Sequence, residues 1–202
     1  MPRTSRDEQL QACKKCRRLS NQLKRLRESH PDYWNRPVPA AGDATSPILI
    51  VGLAPGMHGA NKTGKPFVGD ASGQLLNQAL DQLGLQRRVH ITNAVKCLPI
   101  KNLPSAKEVR NCSSFLAAEL ESHLMKPSPV VFALGGLAHK AVIATLGLRQ
   151  ADYAFGHGHV HQHGHLWIVD SYHCSRYNTQ TGRLTLPMFL DALGKAQQLA
   201  RL

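Results

Sequence analysis

Four short apolar runs, separated by segments of helical period, leave this chain few architectures. The runs lie near Pro47–Val51, Val89–Val95, Pro129–Leu134 and Leu166–Val169. Helical segments are expected near Ser72–Leu83, Ser105–Leu124, Gly136–Leu146 and Leu186–Leu202. The run Ile48–Val51 has no polar alternation, so it reads as a strand buried on both faces. Alternating strands and helices predict the α/β class: a three-layer α/β/α arrangement around a central, mainly parallel, four-stranded sheet. With 202 residues, 42% of them hydrophobic, the chain can bury about 70% of its unfolded surface, enough for one core. One domain over 1–202 is expected, with a basic N-terminal arm (1–44) and an α/β/α core (45–202).

Charge narrows the partner. A formal charge of +12 and a pI near 9.9 point to a polyanion, since each neutralised phosphate releases a counterion. A basic face kept for solubility is the alternative. Aromatic residues make up only 5% of the chain, so extended stacking along a single strand is not indicated. No run of eighteen apolar residues exists, and the N-terminus lacks the apolar core of a signal peptide. A cytoplasmic, nucleoid-associated protein with no membrane partner is expected.

The segment Gly52–Gly73 directly follows the first apolar run, where open α/β sheets place their sites. It holds six glycines, the aromatic Phe67 and the carboxylate Asp70, the parts needed to approach and grip a flat ring. It is no phosphate loop, because Gly64-Lys65 is followed by Pro66. The competing reading is a long ordered loop with Phe67 in the core and Asp70 capping the next helix.

The five cysteines include a C-x-x-C pair, Cys13 and Cys16, in the basic arm, with Cys97 and Cys112 after the second strand and at the start of the next helix. Four thiolates suit a tetrahedral zinc or a [4Fe–4S] cluster equally. The arm reads as one basic amphipathic helix over Leu10–Ser29 and a Pro/Ala/Gly/Ser connector over Pro37–Pro47, so ligation would tie it to the sheet. In Gly156–His165 five histidines recur at every second position. Metal binding and a loop of neutral polar rings both fit, though glycines interrupt the run and no carboxylate lies inside it.

Three segments in order, GLAPGMHGANKTGKPFVGDASGQLL from Gly52, NAVKCLPIKNLP from Asn93 and SYHCSRYNTQTGRLT from Ser171, resemble the uracil-DNA glycosylase superfamily, in its cluster-containing families 4 and 5. Leu53, where family 4 has Glu, and Asp70 after the Phe-x-Gly element resemble family 5. Phe155-Gly156-His157-Gly158 resembles a short family 5 element near the pocket. The resemblance implies a monomeric, monofunctional DNA glycosylase that removes uracil, and other deaminated bases such as hypoxanthine, from DNA. It implies a [4Fe–4S] cluster on Cys13, Cys16, Cys97 and Cys112, zinc being the alternative, and leaves Cys174 as a non-ligand.

Catalysis is expected from Asp70, which would stabilise the sugar cation or orient water, from Asn102, which would read the base or place the water, and from His173, which would donate to a base oxygen. Gly52, Leu53 and Phe67 are expected at the base with Asn102 and His173. Lys62, Lys65, Ser175, Arg176 and Asn178 are the candidate phosphate grips. No lysine is placed as an amine nucleophile. Two departures stand out: Cys174 replaces a usual Pro, and Gly56 a more usual Ala. A family 4-like strict uracil enzyme and a non-catalytic iron–sulfur DNA-binding protein are the alternatives.

Overall fold

All four apolar runs pair side by side. The computed structural model describes residues 5–202; positions 1–4 of the expected arm lie outside the described residues. The strands are β1 (Ala41–Gly42), β2 (Ile48–Gly52), β3 (His90–Asn93), β4 (Val130–Leu134), β5 (Val160–His163) and β6 (Leu166–Ser171). They form one sheet in the order β1-β3-β2-β4-β6-β5. The inner four are parallel, while β1 and β5 pair antiparallel at the two edges. The sheet thus has six strands where four are expected. Both extra strands lack an apolar signature: β1 is two residues of the connector, and β5 is the polar sequence Val-His-Gln-His. Short or polar strands are how sheet edges avoid pairing with other chains.

The helices are α1 (Arg6–Gln11), α2 (Arg17–Ser29), α3 (Ala60–Thr63), α4 (Ala71–Gln82), α5 (Ala106–Leu124), α6 (Gly136–Thr145), α7 (Arg176–Gln180) and α8 (Leu186–Leu199). Strand alternation sends Ile48, Ile50, Phe132 and Val169 against α4 and α8, and Leu49, Val51, Val131 and Ile168 against α5 and α6. These two cores make the three layers. Phe132 and Phe189 are fully buried in the first, so truncating either to Ala removes about 3–5 kcal/mol of stability.

The single arm helix expected over Leu10–Ser29 is broken. α1 ends before Ala12 and α2 starts after Cys16, so the C-x-x-C lies in the turn between them. The intervening Ala-Cys-Lys-Lys-Cys offers no apolar stripe to sustain a helix, and the turn presents both thiols to one cavity. Leu19 of α2 packs with Val95 and Cys112 in a third, small core. Arg18 grips both oxygens of Glu108, at 2.8 and 2.6 Å, while Glu108 also closes the capping box of α5 with Ser105.

Candidate active site and cysteine cavity

The chain passes from β2 to β3 on one side and then to β4 on the other, so the loops leaving β2 and β4 diverge. A crevice opens at such a switch above the carboxyl ends of the strands. Here it is a cavity of about 620 Å³, and Leu53, Phe67, Asp70, Asn93, Asn102, His173, Ser175 and Arg176 are among the residues lining it.

Asp70 is the N-cap of α4, its Oδ1 accepting from Gly73 N at 2.8 Å. The capping reading therefore holds, and it leaves Oδ2 free to face the glycine loop. Any side chain on Gly59 would overlap this carboxylate, and a Cβ on Gly56 would stand 3.2 Å from Oδ2. Gly56 thus leaves room beside the acid itself. Phe67 is a bulky residue at φ 55, a strained backbone that persists where packing over-determines it. It lies over Gly52, where a Cβ would come within 2.7 Å of the ring, so Gly52 supports the cavity from below without lining it.

His173 leaves the carboxyl end of β6, its ring 6.1 Å from that of Phe67. Burial pushes its pKa below the ordinary imidazole value and the nearby Asp70 only partly opposes this, so the ring is neutral at pH 7. The amide of Asn178 donates to the His173 carbonyl at 2.8 Å, which makes Asn178 a brace for this turn. His157 also stays outside the cavity. Its Nδ1 accepts from Tyr172 N at 3.1 Å and its ring stacks on Tyr172, steadying the residue before His173. Asn102, with Lys101, sits at positive φ in a tight turn after β3 and is exposed at the rim.

Ser175 and Arg176 reach the cavity, whereas Lys62 lies over the Tyr33 ring and Lys65 is exposed, neither lining it. Cys174 is buried in the first core, its thiol pushed up to about 12 by burial, an apolar filler at the usual proline position. Among the lining residues not singled out from the sequence, Asn93 is the one whose chemistry stands out. Asn93, the last residue of β3, is buried with its Oδ1 unpartnered in the protein. Its position at the carboxyl end of a parallel strand is the signal that could have found it.

Cys13, Cys16, Cys97 and Cys112 line one small cavity between the arm and α5. Cys112 Sγ accepts from Lys96 N at 3.3 Å and Cys16 Sγ from the Asn111 amide at 3.4 Å. Burial, with the charge of the other thiols, raises Cys97, and burial pushes Cys112 up to about 11. Thiolates so placed need a cationic centre among them. Among the described residues, a group of three metal-type donors gathered within 4.8 Å is His139, His161 and Asp170.

Residues 39–197 match the family model of the uracil DNA glycosylase superfamily. The chain is 43% identical over 213 aligned residues to the Type-5 uracil-DNA glycosylase of Thermus thermophilus, covering 96% of each. It is 44% identical over 202 residues to that of Pyrobaculum aerophilum, covering 91% of this chain and 87% of the relative. A Type-4 uracil-DNA glycosylase of Pyrobaculum aerophilum matches at 40% over 119 residues, 58% of each chain. The chain belongs to the uracil-DNA glycosylase superfamily.

Proposed function

We propose that this protein is a monofunctional DNA glycosylase of family 5 type that hydrolyses the N-glycosidic bond of uracil, and of other deaminated bases such as hypoxanthine, to begin base excision repair. One observation carries the reading: a carboxylate, an amide and a neutral imidazole from three separate segments open onto one cavity beside an aromatic ring. The coverage of the Type-5 relatives over nearly the whole chain supports the family 5 form. A cavity of about 620 Å³ has room for a purine as well as a pyrimidine.

The chemistry follows from charge. As the bond from C1′ to the base nitrogen breaks, its electrons leave with the base and positive charge grows on the sugar. Asp70 Oδ2 offsets that charge and orients the water whose oxygen bonds to C1′, the water proton passing to the carboxylate or to solvent. His173, being neutral, donates a hydrogen bond to the base oxygen that gains negative charge. The Asn93 side chain, its Oδ1 unpartnered in the protein, reads the base edge, Asn102 closes the rim, and Phe67 stacks on the flipped ring. Ser175 and Arg176 hold the adjacent phosphates.

Cys13, Cys16, Cys97 and Cys112, which line one cavity, would hold a [4Fe–4S] cluster, and the chemistry it would supply there is structural, tying the arm to the sheet. Broad visible absorption that disappears in Cys97→Ser tests that assignment; a colourless wild-type protein containing zinc refutes it. The function is tested on duplexes bearing one uracil or one hypoxanthine, incubated and then treated with alkali. Strand breaks at the lesion are expected with both, and an intact uracil strand overturns the reading.

A further inference from the structure

We propose that His139, His161 and Asp170 form a second metal site, for a divalent ion of the zinc class, on the sheet face covered by α6. Histidine alternation alone does not assemble it. Of the run in 157–165, only His161 contributes, from β5; Asp170 comes from the neighbouring β6 and His139 from α6. None of the three lines the substrate cavity or the cysteine cavity.

Two unpartnered atoms point to a ligand. Asp170 has 0% exposure, and while Oδ1 meets His139 Nδ1 at 2.7 Å, Oδ2 has no hydrogen-bond partner in the protein. His161 Nε2 is likewise buried and without a hydrogen-bond partner, its charged neighbour being that same Oδ2. Natural interiors seldom leave such atoms unsatisfied, least of all a carboxylate oxygen. They stand 3.4 Å apart, too far for a good hydrogen bond and close to the roughly 3.4 Å edge of a tetrahedron with bonds of about 2.1 Å to its centre.

His139 completes the set. Its Nε2–H donates to the Tyr153 carbonyl at 2.8 Å, the outer contact that metal-bound histidines make, and directs Nδ1 at the carboxylate. On binding, Nδ1 loses any proton it carries to solvent and exchanges Asp170 for the ion, which also takes Asp170 and His161 Nε2. Two imidazoles and a carboxylate suit zinc, with water in the fourth position on the side where His161 is 16% exposed. The rings of Tyr153 and Phe155 wall the site, at 5.7 Å from His161 and 5.6 Å from His139. The ion would clamp the edge hairpin to α6.

The test uses the full-length protein with its own cofactor retained, dialysed against chelator and titrated with zinc chloride by calorimetry. The expected result is one zinc per chain with a raised thermal midpoint, and a loss of at least about 100-fold in affinity in His161→Ala. His163→Ala, an exposed histidine of the same strand, should leave binding within about threefold of wild type if ligand identity decides affinity. Zinc-edge absorption of the wild type should show only nitrogen and oxygen, at about 2.0–2.1 Å. No zinc uptake, equal weakening by His163→Ala, or sulfur at about 2.3 Å in the zinc shell each overturns the proposal.

Discussion

Asp70 carries two roles on two oxygens, and they can be separated by one substitution. Oδ1 caps α4 through Gly73 N at 2.8 Å, a contact worth about 1 kcal/mol. Asn caps as well as Asp, so Asp70→Asn should leave the thermal midpoint nearly unchanged, while Asp70→Ala should lower it by about 2–4 °C in a domain of this size. The chemical role depends on charge, which both substitutions remove. A carboxylate about 4 Å from a unit charge on the sugar, at an effective dielectric near 20, contributes about 4 kcal/mol, roughly a thousandfold in rate. Single-turnover excision from a uracil duplex, run beside thermal unfolding of the same preparations, gives both numbers. Asp70→Asn should be wild-type in stability and about 10²–10³-fold slower. If it excises uracil within a few-fold of the wild-type rate, Asp70 is a cap and nothing more, and the proposed chemistry fails.

His173→Ala should slow excision by about 10²–10³-fold with a smaller effect on DNA affinity. Because burial holds the His173 pKa below 6.5, the rate should be flat in this group from pH 6.5 to 8 and fall only at lower pH; a His173-dependent inflection above 6.5 contradicts the neutral-donor role. His123 is buried with Nε2 on the Val130 carbonyl at 3.0 Å, and burial, helped by Lys126, lowers its pKa to about 3. The unfolded chain takes up a proton near pH 6.5 that the folded one refuses, so stability is intact above 6.5. It should then fall by up to about 1.4 kcal/mol per pH unit toward pH 3, a slope that His123→Gln reduces in urea unfolding at pH 7 and 5. Lys96 is fully buried, held by Glu119 at 2.7 and 2.8 Å and by Thr92. Glu119→Ala strands that ammonium and should cost about 3–5 kcal/mol in urea unfolding, whereas Lys96→Met combined with Glu119→Leu should come close to wild type.

What could be read from the chain was whatever its chemistry writes in consecutive residues. Central strands are legible because both faces are apolar, and α4, α5, α6 and α8 because their apolar period is sustained; their ends fall within three residues of expectation. Strands β1 and β5 are held by backbone pairing to a neighbour, so their side chains carry no sign of it. Phe67, Asp70, Asn102 and His173 stand in linear motifs, and the structure brings them to one cavity. Asn93 opens the second of those motifs, yet as one polar residue ending a short strand it does not stand out. Asn178 and Lys62 look like free polar groups in a string of letters, but the fold gives them partners in His173 and Tyr33. The His139–Asp170 contact spans 31 positions, and no pattern within a run of histidines encodes a partner on another element.

The arm shows how a group held by the four thiols would bear on the substrate cavity without moving electrons. Only Leu10, Leu19 and Leu23 of its two helices are buried, too little apolar surface to dock them firmly. Yet the arm supports one wall of the substrate cavity. Asn35, fully buried at φ 46, donates from its amide to the carbonyls of Leu26 and His30 and accepts from the Asn61 amide at 2.8 Å. Its backbone N–H and that of Trp34 donate to the carbonyls of Asn61 and Lys62, which closes α2 onto α3. Asn61 N in turn donates to Gly56 O at 3.0 Å, the residue that leaves space beside Asp70. A group held between the C-x-x-C turn and α5 would therefore fix the arm, and through it the loop against which the acid is set. A group that only crosslinks is sufficient for this, and four thiols spanning the seam between arm and sheet are placed to hold it.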